Sequence, residues 1–97
     1  MTRYTLAPLA RFDMRELWAY SVQQWGRRNA DRYVRDLTAT MEKIARDPLI
    51  GAAADDLRPG YRRHVFGSHV IFYVRGKDGV VVARILHQQM DAASRLG

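Results

Sequence analysis

Residues 61–75 read YRRHVFGSHVIFYVR. Two runs rich in β-branched and aromatic residues flank Gly67-Ser68, and glycine in the first position of a two-residue turn suits a type II′ hairpin. That turn pairs Phe66 with His69, His64 with Ile71 and Arg62 with Tyr73. Residues directly opposite share a face. One face then carries Arg63, Val65, Val70, Phe72 and Val74, with Tyr61 at its end. The other carries Arg62, His64, Phe66, His69, Ile71, Tyr73 and Arg75. The first is the more apolar and is expected to lie beneath the rest of the chain. The second is expected to face solvent as a mixture of cations and rings.

Toward the C-terminus, Gly76-Lys77-Asp78-Gly79 makes the next turn and Val80–His87 the last strand. Pairing Arg75 with Val80 adds Val81, Ala83, Ile85 and His87 to the first face, and Val82, Arg84 and Leu86 to the second. Residues 88–96 suit a short helix. Toward the N-terminus, residues 49–60 hold Gly51, three alanines, Asp55, Asp56 and Pro59-Gly60, and read as a loop ending in a turn. Before them lie two helical patterns. In the first, Leu9, Met14, Leu17, Trp18, Ser21, Val22 and Trp25 recur at steps of three and four after Pro8, and Gly26 is a C-cap. In the second, Asn29 is an N-cap and Ala30, Tyr33, Val34, Leu37, Met41, Ile44 and Ala45 form the apolar face, stopped by Asp47-Pro48. The short link makes them an antiparallel αα-hairpin. Arg3-Tyr4-Thr5-Leu6 alternates as a short strand. The fold class is therefore α+β, in one domain spanning residues 1–97.

The chain has 97 residues, 47% hydrophobic, 10% aromatic, with no cysteine. This length excludes two catalytic domains, and the apolar content excludes a disordered tail. Without cysteine there is no disulfide framework, which fits a reducing cytoplasm, and no signal-peptide or membrane-spanning pattern is present. Sixteen basic residues against ten acidic ones leave a net charge of +6, pointing to an acidic partner. Residues 1–56 carry nine basic and eight acidic residues, whereas residues 57–97 carry seven and two, so the excess belongs to the C-terminal part.

Catalytic chemistry finds little support. The histidines lack metal-ligand spacing, no serine sits in a nucleophile elbow, and no glycine-rich phosphate loop occurs. Metal-free RNA cleavage would need a base, an acid and cations on the phosphate. Arg62, Arg84 and His87 supply cations and an acid, but no base stands with them.

Several segments taken together identify a family. They are Tyr4-Thr5-Leu6-Ala7-Pro8-Leu9-Ala10, Leu17-Trp18-Ala19-Tyr20, Trp25-Gly26, Asp47-Pro48 with Gly51, Leu57-Arg58-Pro59-Gly60-Tyr61-Arg62-Arg63, Gly67-Ser68-His69-Val70-Ile71-Phe72-Tyr73 and Arg84-Ile85-Leu86-His87-Gln88-Gln89-Met90-Asp91. In this order and spacing the chain resembles the RelE/ParE toxin superfamily of type II toxin–antitoxin systems, and within it the ParE branch. The resemblance implies a short N-terminal strand, an antiparallel αα-hairpin packed on a small antiparallel sheet, and a short C-terminal helix. It implies a non-enzymatic toxin that binds DNA gyrase and blocks replication, with no cofactor or metal. It also implies neutralisation by a ParD-like ribbon–helix–helix antitoxin with an acidic C-terminal segment, which brings operator DNA in only indirectly. The RelE branch instead cleaves messenger RNA on the ribosome. Here Gln88-Gln89-Met90-Asp91 lacks the tyrosine common in that branch. The target-facing residues expected from the resemblance are Arg62, Arg63, Arg84, His87, Gln88, Met90 and Asp91. The antitoxin is expected to cover Trp18, Tyr20, Val22, Trp25 and Tyr33, with Arg75. A RelE-like endoribonuclease and a basic nucleic-acid-binding module are the alternatives.

Overall fold

A computed structural model describes residues 3–96. The element order is β1 (Tyr4–Leu6), α1 (Pro8–Trp25), α2 (Arg27–Arg46), β2 (Ala52–Ala53), β3 (Arg62–Phe66), β4 (His69–Gly76), β5 (Gly79–His87) and α3 (Ala92–Leu96). Pro8 opens α1, where its missing N–H costs nothing. Gly26, at φ 84°, ends α1 and also caps α2. Its N–H donates to the Val22 carbonyl and its carbonyl accepts from Ala30. One residue thus joins the two helices. Asn29, expected as the N-cap, instead lies inside the first turn of α2, where its Nδ2 donates to the Trp25 carbonyl at 2.9 Å.

The α2 core face is as expected: Ala30, Leu37, Met41, Ile44 and Ala45 are buried, with Tyr33 and Val34 packed at its edge. The α1 face is rotated from the expected stripe. Ala10, Asp13, Leu17 and Ser21 are buried, whereas Leu9 and Trp25 are 56% and 50% exposed.

The helices pack on a five-stranded sheet in the order β1-β5-β4-β3-β2. Three antiparallel pairings join β2 through β5, while β1 lies parallel to β5, with Tyr4 opposite Val80 and Leu6 opposite Val82. The segment expected as plain loop supplies β2, whose two alanines pair with Arg62 and Arg63. The hairpin pairings Phe66–His69, His64–Ile71, Arg62–Tyr73 and Arg75–Val80 are those read from the sequence.

Two expectations about faces are corrected. First, the helices cover the side carrying Ile71, Tyr73, Val80 and Val82, all buried in one cluster with Leu17, Leu37, Met41 and Ile44. The mixed face is therefore the core face. Val65, expected inside, is 64% exposed. The opposite face is covered in part by α3, where Leu96 packs on Phe72 and Leu86 beside Leu57, Tyr61 and Val70. Second, the β4–β5 register shifts between Phe72 and Tyr73: Tyr73 pairs with Val82 but Phe72 with Arg84. The extra residue, Ala83, is a bulge, and it transfers Ile85 and His87 to the helix side and Arg84 and Leu86 to the far side.

Tyr73 shows why the helix-side core accepts a polar ring. Its hydroxyl donates to the Pro48 carbonyl at 2.8 Å and accepts from the Gly51 N–H at 2.9 Å. Burying such a side chain contributes roughly 1.5–3 kcal/mol, and its hydrogen bonds avoid the penalty of an unpaired hydroxyl. Among the described residues no helix is long and apolar enough to cross a membrane.

Candidate functional site

A row of rings runs from the hairpin corner to the end of β5. Trp25, at the last turn of α1, lies 6.0 Å from Tyr33 of α2 between ring centroids. Tyr33 meets Phe66 at 5.0 Å and His69 at 5.7 Å, both edge-on. His69 meets His87 at 5.4 Å, again edge-on. Helix pairing and sheet register together build the row: α2 presents Tyr33 over the Gly67-Ser68 turn, and β4 and β5 place His69 opposite His87. The turn must bear glycine. Gly67 has φ 55°, and a Cβ there would lie 2.6 Å from the Tyr33 hydroxyl.

The Tyr33 hydroxyl is 3.3 Å from the Phe66 carbonyl and 2.9 Å from His69 Nδ1. A carbonyl only accepts, so the arrangement satisfying both contacts has Tyr33 donating to Phe66 and His69 Nδ1–H donating to Tyr33. Burial, reinforced by the neighbouring His87, pushes His69 down to about 4. It is therefore neutral at physiological pH. His87 Nδ1 accepts the Gln89 N–H at 3.2 Å. His64 also lies below the ordinary histidine value, through burial and the nearby Lys43.

Of the expected target-facing residues, His87, Gln88, Met90 and Asp91 stand together where β5 runs into α3. Gln88, Met90 and Asp91 are exposed, and the Asp91 carboxylate caps α3 by accepting the Ala93 N–H. The three arginines do not join them. Arg62 donates to the Gly51 and Leu49 carbonyls, so it fixes the loop before β2. Arg63 pairs with Asp56 at 2.8 Å.

Arg84 is buried against Asp13 of α1, a residue the sequence reading missed. Nε and Nη2 of Arg84 reach the two Asp13 oxygens at 2.8 and 2.9 Å. These bonds hold the guanidinium more firmly protonated than usual. The same carboxylate accepts the Ile85 N–H at 2.9 Å. Strand β1 stops at Leu6, opposite Val82, so Asp13 satisfies the edge of β5 beyond it. The other end of Arg84 donates to the Arg95 carbonyl in α3. One side chain thus ties α1, β5 and α3. An acidic residue at the i+3 position between Ala10 and Leu17 was the available signal, because a carboxylate on a buried helix face requires a partner.

Among the expected antitoxin-facing residues, Tyr20 is 56% exposed and Trp25 half exposed. Trp18 is half-buried, with Nε1 donating to Asp31 at 2.8 Å and Arg27 stacked over its ring. Val22 and Tyr33 are half-buried, and Arg75 is exposed near the far end of β4. Leu9 and Phe12, outside the expected set, add 56% and 48% exposed apolar side chains to α1. Among the described residues no group of three or more His, Cys, Asp or Glu side chains is placed to hold a metal ion.

The family described as ParE toxin of type II toxin-antitoxin system, parDE, matches residues 4–92. The chain is 45% identical to Toxin ParE1 of Caulobacter vibrioides over 97 residues, covering 100% of both chains. It is 41% identical to Toxin ParE1 of Mycobacterium tuberculosis over 96 residues, covering 98% of both. In fold it is similar to a chain from the chromosomal ParDE TA system of P. aeruginosa, with a TM-score of 0.77 at 17% identity, over 90% of this chain and 96% of that one.

Proposed function

The chain belongs to the ParE toxin family of type II toxin–antitoxin systems, and from that premise we propose that it inhibits DNA gyrase by binding it in the cytoplasm and is neutralised by a ParD-type antitoxin. The state of Arg84 carries the choice of binding over cleavage. A strand arginine serving phosphoryl chemistry must offer its fork to the phosphate, whereas here Asp13 and the Arg95 carbonyl occupy it. Arg62 acts away from the target-facing region, on the loop before β2, whereas Arg84 shapes that region from within by tying β5 to α3. His87, Gln88, Met90 and Asp91 form its accessible surface, with Arg63 at the other end of the sheet. The antitoxin covers Tyr20 and Trp25 as anchors, with Trp18, Val22 and Tyr33 beside them and Arg75 as a charged contact.

Gyrase supercoiling assays with the purified chain test the reading. Inhibition or a trapped cleavage complex is expected, and full activity at saturating toxin refutes it. One observation favours a second reading: the His69 and His87 rings stand edge-on with centroids 5.4 Å apart, a pair of imidazoles of the kind that acid–base cleavage of a messenger on the ribosome uses. Transcript mapping in expressing cells separates the two, because gyrase inhibition leaves messages intact.

A further inference from the structure

The sequence places the charge excess after residue 56, but folding commits much of it internally. Arg84 and Arg63 are ion-paired, while Arg62 and Arg58 donate to backbone carbonyls. Of the cations left displayed, one group lies along a single helix. Arg28, Arg32, Arg35, Lys43 and Arg46 on α2 are all exposed. Among the described residues none of them has an ion pair or a side-chain hydrogen bond.

At about 100° per residue, these five fall within an arc of about 80°, opposite the core residues Leu37, Met41 and Ile44. At about 1.5 Å per residue they span about 27 Å, in two groups. Arg28, Arg32 and Arg35 form one and Lys43 and Arg46 the other, separated by about 12 Å. Ala39 occupies the gap and is exposed, so no side chain holds the helix away from a surface laid along it. Carboxylates flank the stripe: Asp36 on one margin, Glu42 and Asp31 on the other, with Asp31 turned to accept from Trp18.

We infer that the outer face of α2 binds the phosphate backbone of duplex DNA. The gap between the two cation groups matches the roughly 12 Å width of the major groove, so one group can meet each bordering strand. The stripe carries no ring on which an unpaired base could stack. It also carries no apolar anchor of the kind that gives a protein partner its binding energy. The surface is distinct from the end of β5 and from the exposed apolar face of α1, and it acts on bare DNA whether or not gyrase is the target.

The test is fluorescence anisotropy of the full-length chain with a labelled mixed-sequence 24-base-pair duplex between 50 and 200 mM salt. Five cations less the Asp36 and Glu42 carboxylates, or all five, predict a slope of log K against log salt of about −2.7 to −4.5. Arg35→Gln with Lys43→Gln, flanking the gap, should reduce that slope by about 1.8 and weaken binding about tenfold or more at 50 mM salt. Lys77→Gln with Arg95→Gln removes the same charge elsewhere and should change affinity less than about twofold. Equal losses in the two double variants, or no salt-dependent binding, overturn the inference. So do tighter binding of single-stranded than duplex DNA, and competition by polyglutamate equal to that by unlabelled duplex.

Discussion

Replacing Asp13 by Ala should be among the most damaging single changes in this chain. The carboxylate accepts from Arg84 Nε and Nη2 and from the Ile85 N–H, at 2.8, 2.9 and 2.9 Å. The side chains of Arg84 and Asp13 are only 11% and 7% exposed, so water offers little replacement. Asp13→Ala leaves a buried guanidinium with only the Arg95 carbonyl, and an orphan amide on the edge of β5. Breaking a buried pair from one side costs about 3–5 kcal/mol. Against a total stability of about 5–15 kcal/mol for a domain this size, the loss should lower Tm by roughly 15–25 °C. Urea unfolding followed through Trp18 and Trp25 fluorescence measures it. Arg84→Met should cost about 3 kcal/mol, because it strands the carboxylate instead. The double variant buries neither charge and should fall about 2–3 kcal/mol short of the sum of the singles. A loss below about 1 kcal/mol for Asp13→Ala, or additive losses in the double variant, would refute the assignment of this pair as the tie between α1 and β5.

Stability should also depend on His69. The fold lowers its pKa to about 4 from 6.5, so its contribution is complete above pH 6.5 and is lost as pH falls from 6.5 toward 4. Discounted for solvent screening at a partly exposed site, this amounts to about 1–2 kcal/mol, and a His69→Gln variant should flatten the pH profile of urea midpoints. Gly51→Ala should cost about 2–3 kcal/mol by calorimetry, because its Cβ would lie 2.6 Å from both the Arg63 carbonyl and the Tyr73 hydroxyl. Tyr20→Ala should weaken antitoxin binding about tenfold by calorimetric titration, while Tm moves by only a few degrees.

The helices were readable because their ends are chemically marked, by Pro8, Gly26 and Pro48. The hairpin pairings were readable because a two-residue turn leaves no freedom of register. The choice of inner face was not, since both faces carry large apolar residues. Phe66, Ile71 and Tyr73 point to the helices while Val70 and Phe72 point to α3, so neither side shows the simple alternation of a half-exposed sheet. No turn residue marks the Ala83 bulge, and without it Arg84 reads as a free surface cation. The same bulge also moves His87: unbroken parity places it with Val65 and Phe72, and the extra residue turns it to the helix side, next to His69. The exposed residues after His87 are contiguous and so legible as a segment, but the ring row is not, because Trp25, Tyr33 and His69 come from three separate elements.

The parallel pairing of β1 with β5 sets the order in which the newly made chain can fold. Leu6 waits for Val82, and at 5–20 residues per second about 70 residues between the strands take roughly 4–14 s to synthesise. During that interval the helical hairpin can form through local contacts, but the sheet that covers its apolar face is still incomplete. Ala10, Leu17, Leu37, Met41 and Ile44 are then open to any chain that can occupy their place. An inhibitor already present in the cell would therefore meet its most adhesive form of the toxin before the ribosome has released it.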